Sequence, residues 1–495
     1  MPFNSLTIFD NDWSIAGFIL IIIIALLLLS NYLLTLKILS PESNRRLVHL
    51  IVGILIATSP LLFSNSIQPI ILAIIFIILN ITTKNNNYFK GIHSQKRLSY
   101  GTIIFPISYL LLILLFWGYS EYLVIALLIL AICDPLAAHV GQSIKNQNKF
   151  KIWEDEKTII GTSTFFFCSF IIVYYFGSIF FHNENPYIFG FALLTAFGST
   201  ISEITSSKGS DNFSIPFVSI LFMIGYNEHF LSNGKLAELI NSKIYILFII
   251  VFIFSISYYL KSVNRSGFYG GLIMGFLITI YGGWAFVFPL GVFFILSSIL
   301  GKLAKEISFQ KVNREKRDII QVYANGGVCL FLCIISFFLN SHIFIMPMFL
   351  ASVSSATADT WGTEFGKFSK QLPISIISLK KMEHGSSGGI TTIGTIGSFL
   401  GASVIGLISW IFLGISLKIS IAIALIGFFS AITDSILGAI AQAKFETQNG
   451  DIIEYQISGA ILISGYKWID NNMVNLFNTL IAPIIMFLYL ISHSI

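Results

Sequence analysis

The 495-residue chain is 55% hydrophobic and only 11% charged, with a mean hydropathy of +0.83. Globular proteins carry about 25% charged residues, so a soluble enzyme is excluded. Lys and Arg number 29 against 24 Asp and Glu, and the net charge of +5 suggests no nucleic-acid partner.

The four cysteines, Cys133, Cys168, Cys329 and Cys333, all fall in apolar segments, which argues against a disulfide framework or a zinc site. Spanning a bilayer takes about 20 mainly apolar residues per helix, and such runs recur along the whole chain. Runs such as residues 18–29 are continuous rather than alternating, so helices are expected, not barrel strands. The fold class expected is all-α, a polytopic integral membrane protein.

The first segment, residues 13–39, follows Asp10 and Asp12 and lacks the basic start of a signal peptide, so it reads as a retained span. Further spans are expected around residues 55, 74, 109, 130, 170, 196, 221, 252, 274, 293, 330, 350, 398, 427 and 483, about 16 in all. With the N-terminus outside, their alternation gathers nearly all Lys and Arg on one face. Lys235, Lys243 and Lys418 are the exceptions. The positive-inside rule makes the crowded face cytoplasmic.

Polar motifs recur in one order, which predicts an N-terminal helix (1–40) followed by two related units, 41–235 and 236–495. In the first, Arg45-Arg46-Leu-Val-His49 heads a span and Lys96-Arg97 sits in a basic loop. Asp134-Pro-Leu-Ala-Ala-His-Val-Gly141 lies at the cytoplasmic end of another span. Lys157-Thr158-Ile-Ile-Gly161 and Ser202-Glu203 follow, then Asp211-Asn212. In the second, Arg317 and Gln321-Val-Tyr-Ala-Asn325 are followed by Asp359-Thr-Trp-Gly-Thr-Glu364-Phe-Gly366. That segment repeats the Asp-to-Gly spacing of Asp134 and Gly141. Gly385, Ser386, Ser387, Gly388 and Gly389 come next, placed as the counterpart of the Lys157 segment, and then Asp434 and Asp470-Asn471.

A carboxylate at the depth of Asp134 or Asp434 is costly unless paired or metal-bound. Asp134 is either a Mg²⁺ ligand for nucleotide phosphates or a helix-end carboxylate in interfacial water, and Asp359 in the matching place favours the ligand. Lys157 and Thr158 at the start of a span, with Gly161 admitting close backbone approach, suit a phosphate. The Gly/Ser block at 385–389 suits a backbone anion nest, although glycines also allow helices to pack closely. Glu203 with Asp211-Asn212, and Asp434 with Asp470-Asn471, are candidate second-metal ligands or proton acceptors, or, as for Asp211 more than Asp434, simply solvated loop acids. Arg45, Arg46, Lys96 and Arg97 are phosphate contacts or simply products of charge sorting. Gly362-Thr-Glu-Phe-Gly366-Lys367 is one residue short of a P-loop and continues with Phe368, and no protein-kinase signature is present.

The segment 45–216 resembles the membrane-bound phytol kinase and dolichol kinase group. The resemblance rests on Arg46-x-x-His49, Ser99-Tyr-Gly-Thr-Ile-Ile-Phe-Pro-Ile-Ser108, Asp134 with Gly141, Lys157-Thr-x-x-Gly161, and Asp211-Asn212. Cys133 stands where that group usually has Gly, and Thr162 where it often has Ser. The segment 266–478 resembles the plant phytyl-phosphate kinase and its animal transmembrane relatives. Here the matches are Gln321-Val-x-Ala-Asn325-Gly-Gly327, Asp359-Thr-Trp with Glu364 and Gly366, Gly385-x-x-Gly388-Gly389, Asp434-Ser-x-Leu-Gly438 with Gln442, and Asp470-Asn471 with Val474-Asn475.

The two resemblances imply a bifunctional lipid kinase that phosphorylates an isoprenoid alcohol twice. The implied donor is CTP or ATP with Mg²⁺ on Asp134, Asp359 and Asp434, and Arg317 and residues 385–389 bind phosphates. The setting expected is a bacterial inner membrane, with isoprenoid lipid and the bilayer as partners and the oligomeric state open. A phosphatidate cytidylyltransferase and a transporter are the alternatives. A transporter should carry its charges near mid-bilayer between its halves, whereas these acids crowd one face.

Overall fold

A computed structural model describes residues 11–85, 101–144, 149–152, 155–181, 185–227, 236–307, 316–339, 342–447, 452–454 and 459–494. The chain divides into two compact units, Met1–Leu239 and Ile240–Ile495. It is all-α apart from short hairpin strands. Among the described residues, ten helices are long and apolar enough to cross a membrane, and three shorter apolar helices accompany them. Every one of the expected span centres falls within a helix. The count by length is lower because two stretches, Gly101–Ser143 and Arg265–Ala304, each run through two expected spans, three centres fall in the shorter helices, and one falls in His342–Gly366, which belongs to neither group.

The first unit begins with α1 (Asp12–Thr35), α2 (Pro41–Ala57), the short α3 (Ser59–Leu62) and α4 (Ile67–Asn85). Asn11 caps α1 by accepting from the Trp13 N–H, and Ser40 caps α2, where Pro41 loses nothing by lacking a donor. Next come α5 (Gly101–Phe116), a 3₁₀ turn at Trp117–Tyr119, α6 (Ser120–Leu128), a π turn at Ile129–Cys133 and α7 (Asp134–Ser143). The hairpin of β1 (Lys149–Lys151) and β2 (Glu156–Thr158) leads into α8 (Ile159–Phe181), α9 (Asn185–Thr205) and α10 (Asp211–Tyr226).

The second unit holds α11 (Leu236–Tyr259), α12 (Arg265–Ile307), α13 (Ile319–Leu339) and α14 (His342–Gly366). Its α12 breaks at Gly283, whose φ of 63° and ψ of −154° suit only glycine. A hairpin of β3 (Ile374–Ser375) and β4 (Gly389–Ile390) precedes α15 (Thr392–Ile411) and α16 (Leu417–Ile440). The strands β5 (Lys444–Glu446), β6 (Ile452–Ile453) and β7 (Ile461–Ser464) form a small antiparallel sheet before α17 (Asn471–Ser494).

Both units run acid-bearing helix, hairpin, Thr-capped helix, helix, helix. In each, the acid-bearing helix packs on the capped helix; the last of the series packs on α14 itself in the second unit, but on α6 and the π turn that precede α7 in the first. Thr158 Oγ1 accepts from Gly161 N at 3.1 Å, and Thr391 Oγ1 accepts from Gly394 N at 3.0 Å. A Cβ on Gly161 would stand 3.1 Å from the Ala137 carbonyl, three residues past Asp134. One on Gly394 would stand 2.9 Å from the Gly362 carbonyl, three residues past Asp359. The counterpart of Thr158-Gly161 is therefore Thr391-Gly394, and the 385–389 block precedes it as part of the hairpin loop.

Candidate functional site

In the first unit the acids converge at the end of α7. Asp134 opens α7, within electrostatic reach of Asp211, Lys157, Glu203 and Arg45. Lys157 Nζ meets Glu203 Oε1 at 2.5 Å, with side chains 18% and 9% exposed. Burial disfavours the ammonium, but the carboxylates of Glu203, Asp211 and Asp134 outweigh it and hold the Lys157 pKa above the ordinary lysine value. Asp211 Oδ1 accepts from Asn212 N and Nδ2, and the Asn212 amide also donates to the Gly209 carbonyl. Glu203 occurs in the sequence motif, but only the fold, across 46 residues, makes it the partner of Lys157.

His49 joins this cluster through the backbone. Its ring donates to the Leu130 carbonyl, while Nε2 is buried without a partner and Phe105 meets the ring edge-on at 5.3 Å. The free carbonyl follows from the π turn. A carbonyl there looks to the N–H five residues on, which for Leu130 is Pro135, and proline has none. Arg45 and His49 on α2, with Asn212 on α10, also form the polar end of an apolar cavity enclosed by α1, α2, α4 and α5. Arg46 turns elsewhere: it bonds Gln142 and, at 2.8 Å, Glu42, fastening α2 to α7. Lys96 and Arg97 lie outside the described residues.

In the second unit Asp359 of α14 and Asp434 of α16 bring their carboxyls within hydrogen-bonding reach of each other. Asp434 Oδ1 is buried without a donor, and no ion pair reaches either acid among the described residues. One turn earlier on each helix stands a serine. Ser355 and Ser430 both donate to Asn478 Oδ1 on α17, at 2.6 and 2.8 Å. Residues four apart share a helix face, so this clamp sets the register that makes the acids meet. Nothing in the sequence pattern marks Asn478 as the common acceptor.

The loop at 385–389 turns through Gly385 and Gly388, with φ of 85° and 81°. Its donors are engaged by Glu454, which accepts from Ser387 N at 2.7 Å and from Ser387 Oγ at 2.5 Å, and from Gln442 at 2.9 Å. A carboxylate thus occupies the N–H and hydroxyl that a phosphate would use. Gly389 N donates back to the Ser386 carbonyl. Glu364 is buried and paired with Lys367 at 2.8 Å. Arg317 lies over the Phe294 ring. Asn325 donates to the Gln321 carbonyl. Asp470 accepts from Met473 N as the cap of α17, with Asn471 exposed beside it. These last residues serve local structure rather than the acid pair. Among the described residues no group of three or more metal-ligating side chains converges.

The chain is similar to known membrane proteins. An uncharacterised membrane protein of Methanocaldococcus jannaschii is 30% identical over 185 residues, covering 37% of this chain and 76% of that protein. Protein PGR of Arabidopsis thaliana is 28% identical over 258 residues, covering 46% of this chain and 88% of that protein. No solved structure matches. Residues 248–483 match the family described as integral membrane protein DUF92, and the chain belongs to that family.

Proposed function

We propose that the chain is a membrane phosphotransferase for isoprenoid alcohols of the phytol, farnesol or geranylgeraniol class. The first unit makes the monophosphate and the second the diphosphate, at the cytoplasmic face of a cell membrane, with CTP or ATP as donor. One observation carries the reading: an apolar cavity whose polar end, Arg45, His49 and Asn212, adjoins Asp134, Lys157, Glu203 and Asp211. An amphiphile with a long hydrocarbon tail and one terminal hydroxyl fits that gradient.

Two neighbouring carboxyls with no cation partner among the described residues, one of them with an orphaned oxygen, fit a divalent ion that completes its shell with phosphate oxygens. Asp359 and Asp434 would hold Mg²⁺ in the second unit, and Asp134 in the first. When bound, the ion neutralises nucleotide phosphate charge. Lys157 adds a fixed positive charge at the start of α8, where the helix N-terminus already favours anions. His49, with one ring nitrogen committed to Leu130, keeps Nε2 as an acceptor for the hydroxyl proton.

The test uses the purified full chain in lipid with Mg²⁺, CTP or ATP, and radiolabelled C15 and C20 prenyl alcohols. Wild type is expected to form diphosphate, Asp359→Ala to stop at monophosphate, and Asp134→Ala to form neither. Absence of any prenyl phosphate, together with a CDP-lipid formed from phosphatidate, sinks the proposal in favour of a cytidylyltransferase. A second reading, a cation-coupled transporter, is favoured by the bare Asp359–Asp434 pair alone. It requires ion-dependent solute uptake into vesicles, abolished by Asp434→Asn.

A further inference from the structure

The cavity of the first unit has a direction and a floor. Along α2 it is lined by Arg45, His49, Val52 and Ile56, one turn after another, and Ser59 at the start of α3 follows them. Its polar end also takes Asn80 and Thr102, which are bonded to each other at 2.9 Å. At the other end Ser59 Oγ and Tyr109 Oη share a 2.6 Å hydrogen bond, with Phe63 beside them. Ser59 Oγ is also bonded to the Ile56 carbonyl at 2.6 Å, so the floor presents satisfied polar atoms behind an aromatic ring. Tyr109 and Phe63 are each only 5% exposed. The walls between are hydrocarbon from α1 and α4, chiefly Ile19, Ile23, Leu72 and Phe76.

We infer that this cavity is the tail site of the first unit and that the Ser59–Tyr109 pair with Phe63 sets the chain length it accepts. The inference rests on the isoprenoid reading above and makes it specific. His49 and Ser59 are ten residues apart, a rise of roughly 15 Å at 1.5 Å per residue. An isoprene unit contributes four chain bonds of about 1.5 Å each, zigzagging to roughly 5 Å. A hydroxyl held at His49 Nε2 therefore leaves room for three units before the tail meets Tyr109. A fourth has to fold against Phe63, whose N–H is bonded to the Ser59 carbonyl at 3.1 Å. Longer polyprenols exceed the distance. The committed substrate is a C15 to C20 alcohol, with the shorter preferred.

Two substitutions act in opposite directions. Tyr109→Ala removes the floor and extends the channel, and Val52→Trp shortens it midway. Tyr109→Phe keeps the ring and serves as the shape-conserving comparison. The full chain in lipid nanodiscs would be given an equimolar mixture of C10, C15, C20 and C30 alcohols with nucleotide and Mg²⁺. In parallel, a photoreactive C15 alcohol would be cross-linked without nucleotide and the labelled peptides mapped.

The wild type is expected to phosphorylate C15 and C20 over C30 by at least about tenfold, a difference near 1.4 kcal/mol. Tyr109→Ala is expected to raise the C30 share about tenfold, Val52→Trp to shift preference to C10, and Tyr109→Phe to match wild type. Label is expected on α2 and α5. If prenyl alcohols are phosphorylated but neither variant moves the profile, the tail site is wrong and the kinase reading stands. If no alcohol is phosphorylated but the C15 probe labels α2 and α5 and Val52→Trp blocks it, the tail site stands and the kinase reading falls. Label confined to other helices overturns the inference whatever the activity.

Discussion

Lys157 and Glu203 are each more than four-fifths buried and directly paired. Removing one partner leaves a desolvated charge, which costs about 3–5 kcal/mol. Lys157→Met should therefore lower the melting temperature in detergent more than the double variant Lys157→Met/Glu203→Gln does, and equal losses would show that the pair is not coupled. The pH dependence follows from the raised Lys157 pKa. A lysine stabilised in the folded state contributes fully below its unfolded pKa of about 10.4 and loses that contribution only as pH climbs through the folded value. The melting-temperature gap between wild type and Lys157→Met is thus expected to stay constant from neutral pH to about pH 9.5. Asn478 works by position instead. Asn478→Leu removes the side-chain acceptor that Ser355 and Ser430 share and leaves them only the backbone carbonyl of residue 478, at 3.3 and 2.9 Å, a loss of about 1 kcal/mol. It should impair the second step through the Asp359–Asp434 geometry, with weaker Mg²⁺ dependence as the readout that simple destabilisation would not give.

At the scale of elements, the hairpin loop before α15 is held by a glycine that nothing else can replace. Gly388 has φ of 81°, and a Cβ there would come within 2.7 Å of the Ala439 Cα on α16. Gly385 has a similar φ but open space around it. Gly388→Ala should cost more than Gly385→Ala, the first by strain plus backbone collision, the second by strain of about 1–2 kcal/mol alone. Proteolytic nicking of the loop would rank them, and equal sensitivity would refute the packing account. The spans were legible in the sequence because lipid demands long apolar runs, and Asp134 and Asp359 stood out because each ends such a run. The partners were not. Glu454 reaches Ser387 across 67 residues and Asn478 reaches Ser355 across 123. Hydropathy carries no trace of such pairings. The repeat was legible in its order of motifs, but its register was not. The cap Thr391-Gly394 carries no charge to match Lys157, so the richer Gly/Ser block drew the alignment toward itself.

For the molecule as a whole, eight of the expected span centres fall in each unit. Each unit has its own packed helices, and domains with their own cores fold alone. Residues 1–239 and 240–495 produced as separate chains are expected to insert and purify as monodisperse species, each with its own melting transition. Aggregation of both would show that neither core suffices. The two acid-bearing helices nevertheless reach their acids differently. In α14 the helix runs unbroken to Asp359, while Asp134 follows the widened turn at Ile129–Cys133. That turn holds one residue more than a regular ladder needs. An in-frame deletion of a single codon there, for Ala131, would let the ladder close to regular i→i+4 bonding while the helix on either side stays near its present register. Leu130 would then stand four residues before Pro135, its carbonyl still without a helical donor and still open to His49, so losing one small apolar residue is expected to be far milder than losing the aspartate.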